Sequence, residues 1–381
     1  MTFIDCDTHL FEPADMWERY CDPGDRDLAL RIIDDERGYS WLVHGETRLG
    51  LAEPHRPREV DAVGRYRQRW LQGLDSDLDY HAFAAPYSDP SAHLAHMDEA
   101  GVAASVLFPN YGISWERPLA EDLPGTLANM SAWNRWIGEV AAAGQGRLHP
   151  VGHLCLRDLD WLEVQLDRLS ADGIRLALIP PALVDGKPFS APELDRAWAS
   201  FVDHGITPVF HVANQPRPFD EAWYGPDVEG GLSVMTTIFL PTAVSLVLTD
   251  MIINGVLDRH PDLRLGVMEL SAVWVPLHLQ MMDGGVRFSA SFNGEGLKLA
   301  LKPSEYFSRH VRVAAFANER PDFLTRAGGD IFMACSDYPH TEGTATPIAD
   351  YERVGLEPGA SPGFFRDNIA FLLRAEGDRS L

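Results

Sequence analysis

In the stretch FIDCDTHLFEP, residues 3–13, an aspartate and a histidine, Asp7 and His9, stand two apart inside what reads as a buried strand. A strand sends successive side chains to opposite faces, so Asp5, Asp7 and His9 are expected on one side and Ile4, Cys6 and Thr8 on the other. Ionisable groups buried without partners are costly, so these must meet a metal, each other or water. Further along stand His211 in ITPVFHVAN, Glu269 near the end of LRLGVMEL, and Asp337 and His340 in CSDYPH. Asp7, His9, His211 and Asp337 together offer two carboxylates and two imidazoles. Such a set suits one divalent cation, zinc, manganese or iron, and leaves positions for water or substrate.

Side chains so distant in sequence converge only if a repeating fold brings them to one end. Eight apolar runs supply that repeat, at 3–9, 103–110, 148–156, 174–181, 206–214, 263–270, 311–318 and 331–340. Near-continuous apolar runs are the signature of parallel strands covered on both faces. Helical patterns lie between them, several ending at glycines (Gly101, Gly173, Gly205) suited to the left-handed position after a helix. The spacing predicts an α/β fold, a distorted (β/α)8 TIM barrel formed by one domain over residues 1–381. Long insertions are expected after strands one and five, at about 14–90 and 215–250; loops of that length are lids, binding loops or oligomer arms. Barrels place their chemistry at the C-terminal strand ends. There stand Asp7, His9, Asn110, His153, His211, Asn214, Glu269, Asn318, Asp337 and His340.

DCDTHLFEP, FHVAN, LDRHPDLRLGVMELSAVWVP and CSDYPHTEG resemble the amidohydrolase-related enzymes, in the branch of the aminocarboxymuconate-semialdehyde and hydroxybenzoate decarboxylases. The resemblance implies one divalent metal, zinc or manganese, held by Asp7, His9, His211 and Asp337. It also implies non-oxidative decarboxylation of a small aromatic or enolisable carboxylic acid. Asp7 stands where that family often has histidine or glutamate, and Glu269 stands where those decarboxylases tend to have a catalytic histidine.

Asp337, Glu269 and His340 are the catalytic candidates, the last two as proton donors. Glu12, His153, Asn214 and Arg217 are candidates for binding substrate, with Arg217 the cation nearest His211 in sequence. Each has a plainer reading: Glu12 as a helix cap, His153 as a core residue, Glu269 as one half of a buried pair. Two other functions use the same residues, a metal-dependent hydrolase in which Asp337 takes the proton of a metal-bound water, and a metal-free barrel that only binds.

The net charge of −24, from 56 acidic and 32 basic residues, repels a phosphate backbone, so a small molecule rather than nucleic acid is the expected ligand. MTFIDCD has neither the basic segment nor the apolar run of a signal peptide, and no uninterrupted apolar run approaches membrane-spanning length. A cytoplasmic protein without membrane contact is expected, its four scattered cysteines reduced. No charge falls between Leu232 and Val247. So apolar a segment needs cover on both sides, which predicts a homodimer, or a higher even oligomer, joined through residues 232–256.

Overall fold

A computed structural model describes residues 3–57, 59–112, 114–212, 216–224, 234–293 and 297–375. In chain order the strands are β1 (Ile4–Leu10), β2 (Leu30–Asp34), β3 (Ser40–His44), β4 (Thr47–Leu51), β5 (Ala104–Pro109), β6 (Leu148–Pro150), β7 (Gly152–His153), β8 (Leu176–Leu178), β9 (Thr207–Phe210), β10 (Leu265–Val267), β11 (Val311–Ala314) and β12 (Phe332–Met333). Pairing is parallel along β1-β5-β6 and along β7-β8-β9-β10-β11-β12. Val151 divides β6 from β7 on one continuous path, its N–H reaching back to the Leu107 carbonyl at 2.9 Å. The segment after β12 returns to β1: Cys6 N–H donates to Ala334 O (3.1 Å), Asp337 N–H to Asp7 O (2.8 Å) and His9 N–H to Tyr338 O (2.8 Å). With β6 and β7 counted together, eight parallel strands among the described residues form the ring, as the sequence predicts.

One apolar cluster takes members from every part of that ring, including Ile4, Val106, Phe108, Val151, Leu178, Val209, Met268, Ala314 and Met333. Only the barrel interior is shared by all of them. Ile369 and Leu372, on the helix Asn368–Leu372, join the same cluster. A larger cluster fills the layer between strands and surrounding helices. Gly101, Gly173 and Gly205 have φ of +73°, +77° and +63°, as expected of residues that stop helices before the next strand.

The insertion after β1 is no loose lid. Its strands β2, β3 and β4 form an antiparallel sheet, and helices Val60–Leu71 and Tyr80–Ser88 follow. Tyr39, Trp41, Val43 and Tyr66 make a small core of its own, while Leu30, Ile32 and Leu42 join the main one. After β9 the chain forms helices Val234–Ile238 and Pro241–Ile253. By length and composition Val234–Ile253 is apolar enough to cross a membrane. Here the second helix buries Val244, Leu248, Met251 and Ile252 against the protein, whereas Val234, Ile238 and Leu246 stay exposed.

Candidate metal centre

The expectation that Asp5, Asp7 and His9 share one face is corrected by a bulge. β1 pairs Ile4 with Ala104 and Asp5 with Ser105, then slips so that Thr8 meets Leu107 and His9 meets Phe108. One extra residue reverses the alternation. Ile4 and Cys6 point into the barrel before the bulge, and Asp7 and His9 point into its mouth after it. Asp5 drops out of the site: its Oδ1 accepts the N–H of Ser336 at 2.9 Å and that of Asp7 at 3.3 Å, tying β1 to the segment that carries Asp337. Burial pushes the Asp5 carboxyl up to about 7.

Above the buried ring of Phe108, donors from four strand ends converge. His9 Nε2 lies 3.2 Å from Asp337 Oδ1 and 3.7 Å from Asp7 Oδ1. His211 Nε2 lies 3.3 Å from Asp7 Oδ1 and 3.2 Å from Glu269 Oε2. His340 Nδ1 lies 2.9 Å from Asp337 Oδ1, and its Nε2 meets Asn110 Oδ1 at 2.8 Å. The side chains of Asp7, His9, His211 and Asp337 are 0% exposed.

Proximity here is not hydrogen bonding. Both oxygens of Asp7, both of Asp337, Glu269 Oε2 and the Nε2 atoms of His9 and His211 have no hydrogen-bond partner among the described residues. Each imidazole is oriented from behind, His9 Nδ1 donating to Pro109 O at 3.0 Å and His211 Nδ1 to Val212 O at 2.8 Å. That arrangement leaves the Nε2 lone pairs facing the centre, as metal-binding histidines do. Buried oxygen and nitrogen donors crowded together yet unpaired fit a divalent cation, and two overlapping groups, Asp7–His9–His211 and His9–Glu269–Asp337–His340, are spaced to hold one.

The electrostatics agree. Burial, then the Asp7 charge, holds the Asp337 carboxyl well above the usual range; burial, then Asp337, does the same to Glu269. Burial, with His340 and His211 beside it, holds His9 well below the ordinary histidine value. For His211 burial pulls downward, but Asp7 and Glu269 raise it overall.

Backbone strain aims two of the carboxylates. Glu269 has φ +48° and Asp337 φ +55°, left-handed values uncommon outside glycine. Glu319 secures the first turn, accepting from Ser271 Oγ (2.6 Å) and Ala272 N–H (3.0 Å) while its other oxygen takes Phe316 N–H (3.0 Å). Gly343 secures the second, because a Cβ there would meet the Asp337 carbonyl oxygen at 2.3 Å.

A cavity of about 1400 Å3 opens over the donors, and Glu269, His340 and Asn110 reach it. The first insertion lines its other side with Trp41, Arg48, Glu53, His55, Arg67 and Trp70. None of these six figured among the sequence-based candidates. The His55 ring lies 4.6 Å from that of His340, and His55, bracketed by prolines in EPHRP, was the one with a visible signal. Arg67 forks onto Glu53, with Nη2 2.8 Å from Oε2, and the Arg48 guanidinium lies 4.5 Å over the Trp41 ring.

The other candidates lie elsewhere. Glu12 is fully buried and accepts the N–H groups of Tyr111 (3.0 Å) and Gly112 (2.9 Å), fixing the turn after β5. His153, also buried, meets Glu116 Oε2 at 3.2 Å. Arg217 lies 5.1 Å over the Tyr224 ring. Glu12, His153 and Arg217 do not line the cavity, and Asn214 lies outside the described residues.

No family model matches the chain, and no curated protein matches it. Solved structures do. An amidohydrolase from Mycobacterium avium subsp. paratuberculosis superposes with a TM-score of 0.78 at 23% identity, over 98% of this chain and 99% of that one. The fold is that of the amidohydrolase-type barrels. A 5-carboxyvanillate decarboxylase from Novosphingobium aromaticivorans with bound manganese gives 0.68 at 15% identity, over 98% and 97%. A 2,6-dihydroxybenzoate decarboxylase from Rhizobium gives 0.61 at 14%, over 99% and 100%. The resemblance carried by DCDTHLFEP and CSDYPHTEG thus extends to the whole architecture.

Proposed function

We propose that this single-domain chain is a cytoplasmic metal-dependent decarboxylase that removes carbon dioxide, without oxidation, from a small aromatic or enolisable carboxylic acid. The observation that carries this reading is the set of buried, unpartnered donors from β1, β9, β10 and the segment after β12, facing a cavity large enough for such an acid. Asp7, His9, His211 and Asp337 would hold the ion, and the similar barrel with bound manganese supports manganese as an occupant. A bound cation supplies positive charge beside the substrate carboxylate and a neighbouring oxygen. The carbon–carbon bond breaks, its electron pair passes into the ring or enolate, and a proton takes the place of the departing carbon dioxide. Glu269 and His340 are the groups in the cavity wall placed to give that proton. Arg48 supplies a cation at the rim that attracts an anionic substrate to an acidic protein.

The decisive experiment assays manganese- and zinc-loaded protein for carbon dioxide release from hydroxybenzoates and related acids, beside a panel of amides and esters. Decarboxylation of at least one acid, lost on chelation, supports the reading. Hydrolysis with no decarboxylation replaces it with a hydrolase that uses the same ligands.

The reading includes a homodimer or a higher even oligomer. Exposed Val234, Ile238 and Leu246 are accompanied by exposed Leu277, Met281, Phe288 and Phe292 on the helix Val275–Asn293. Thr249 and His278, 2.9 Å apart, join the two helices. Apolar surface of this extent suits a second copy of the chain better than water.

A further inference from the structure

Glu269 is placed as a ligand is placed. Its Oε2 lies 3.2 Å from His211 Nε2, and His211 already donates its Nδ1 proton to Val212 O. Two lone pairs therefore face each other, which a proton or a cation must reconcile. Neither atom makes a hydrogen bond among the described residues, and His9 belongs to the donor groups of both.

We propose that Glu269 is a direct metal ligand, the fifth side chain in a cage with Asp7, His9, His211 and Asp337, and that this third carboxylate tunes the centre toward manganese over zinc. The proposal deepens the metal-site part of the function above and is independent of the reaction.

Donors roughly 2.1–2.2 Å from one ion, at right or tetrahedral angles, lie about 3.0–3.6 Å from each other. The contacts Asp337–His9 (3.2 Å), Asp7–His211 (3.3 Å) and His211–Glu269 (3.2 Å) are such edges, and His9–Asp7, slightly longer at 3.7 Å, joins them into a chain. Glu269 closes one end of that chain as Asp337 closes the other, and both residues hold the left-handed backbone that turns their carboxylates inward. The turn after Glu269 is fixed by Glu319 Oε1, while Glu319 Oε2 is held by the Phe316 N–H.

Chemistry follows from the donor set. Three carboxylates and two imidazoles put five side chains on the ion, more than a four-coordinate zinc site takes, and oxygen-rich sets of higher coordination suit manganese. One position then remains for the substrate. Glu269 ceases to be the proton donor, and His340 is left with that task.

The test compares manganese and zinc binding by calorimetry in wild-type protein and in Glu269→Gln, which keeps shape and removes charge, with the manganese EPR spectrum recorded for both. Loss of manganese affinity on the order of tenfold to a hundredfold, a smaller loss for zinc and an altered spectrum support ligation. Manganese affinity within twofold of wild type and an unchanged spectrum overturn it. Should the variant fail to fold by circular dichroism, a crystal structure of manganese-loaded wild-type protein decides. A Glu269 oxygen about 2.3 Å or less from the ion supports the proposal, and one beyond about 3.5 Å refutes it. Ligation confirmed in a protein that decarboxylates nothing would sink the reaction alone.

Discussion

The donor ring at the barrel mouth and the insertion that roofs it are both rich in charge, and they treat it oppositely. In the ring, Asp7, His9, His211 and Asp337 are wholly buried and leave oxygens and nitrogens unpartnered. In the roof, Arg67 forks onto Glu53, Arg37 donates to the Trp70 carbonyl at 3.0 Å, and Trp41 Nε1 donates to Asp35 at 2.9 Å. A fold tolerates buried unpaired charge where something outside the chain completes it. The roof pairs its carboxylates with its own cations and donors, leaving Arg37 Nε, His44 Nε2 and His55 Nδ1 scattered and without hydrogen-bond partners among the described residues, whereas in the ring the unpartnered atoms converge on one point.

The largest effect comes from breaking the ring. Replacing His211 or Asp337 with alanine should abolish metal binding and activity together, while His9→Ala retains partial occupancy through the remaining ligands. Thermal melts provide a second readout: metal at a hundred times its Kd stabilises wild-type protein by about 2.7 kcal/mol, and neither deletion variant should respond. A His211→Ala or Asp337→Ala variant that keeps its metal would show that the ligands are misassigned.

The pH dependence of binding sharpens the contrast. Because burial holds Asp337 and Glu269 well above the carboxylate range, protons compete with the cation as pH falls. Metal affinity should therefore rise with pH, and binding should release protons, seen as a buffer-dependent heat in calorimetry. A pH-independent affinity would mean that the carboxyls are not the ligands.

Changes in the roof should be milder. Arg48 is exposed and lines the cavity, so Arg48→Ala should raise KM for an anionic substrate by about two- to fivefold, the worth of an exposed charge, and leave kcat and metal content alone. A collapse of kcat would move Arg48 into the chemistry. The apolar arm outside both regions is tested by light scattering, where a mass near twice 42.3 kDa is expected and 42.3 kDa itself argues for a monomer.

The sequence made the barrel legible because parallel strands write themselves as apolar runs and the helices between them stop at glycine. The strand-end rule then picked out His211, Glu269, Asp337 and His340. It mishandled Asp5, since a bulge changes which face a residue points to and leaves no mark in composition. It also missed His55, Arg48 and Arg67, which reach the cavity from a small sheet whose placement depends on packing across the mouth. Arg217 looked close to the site only along the chain. Distance in sequence says little about which side of a barrel mouth a loop covers.

The chemistry of the site depends on the ring holding an ion. Elemental analysis of wild-type protein purified without chelators, repeated after dialysis against manganese and zinc, tests this most directly. It should find about one divalent ion per chain, absent from His211→Ala; wild-type protein with no bound metal before or after dialysis would contradict it.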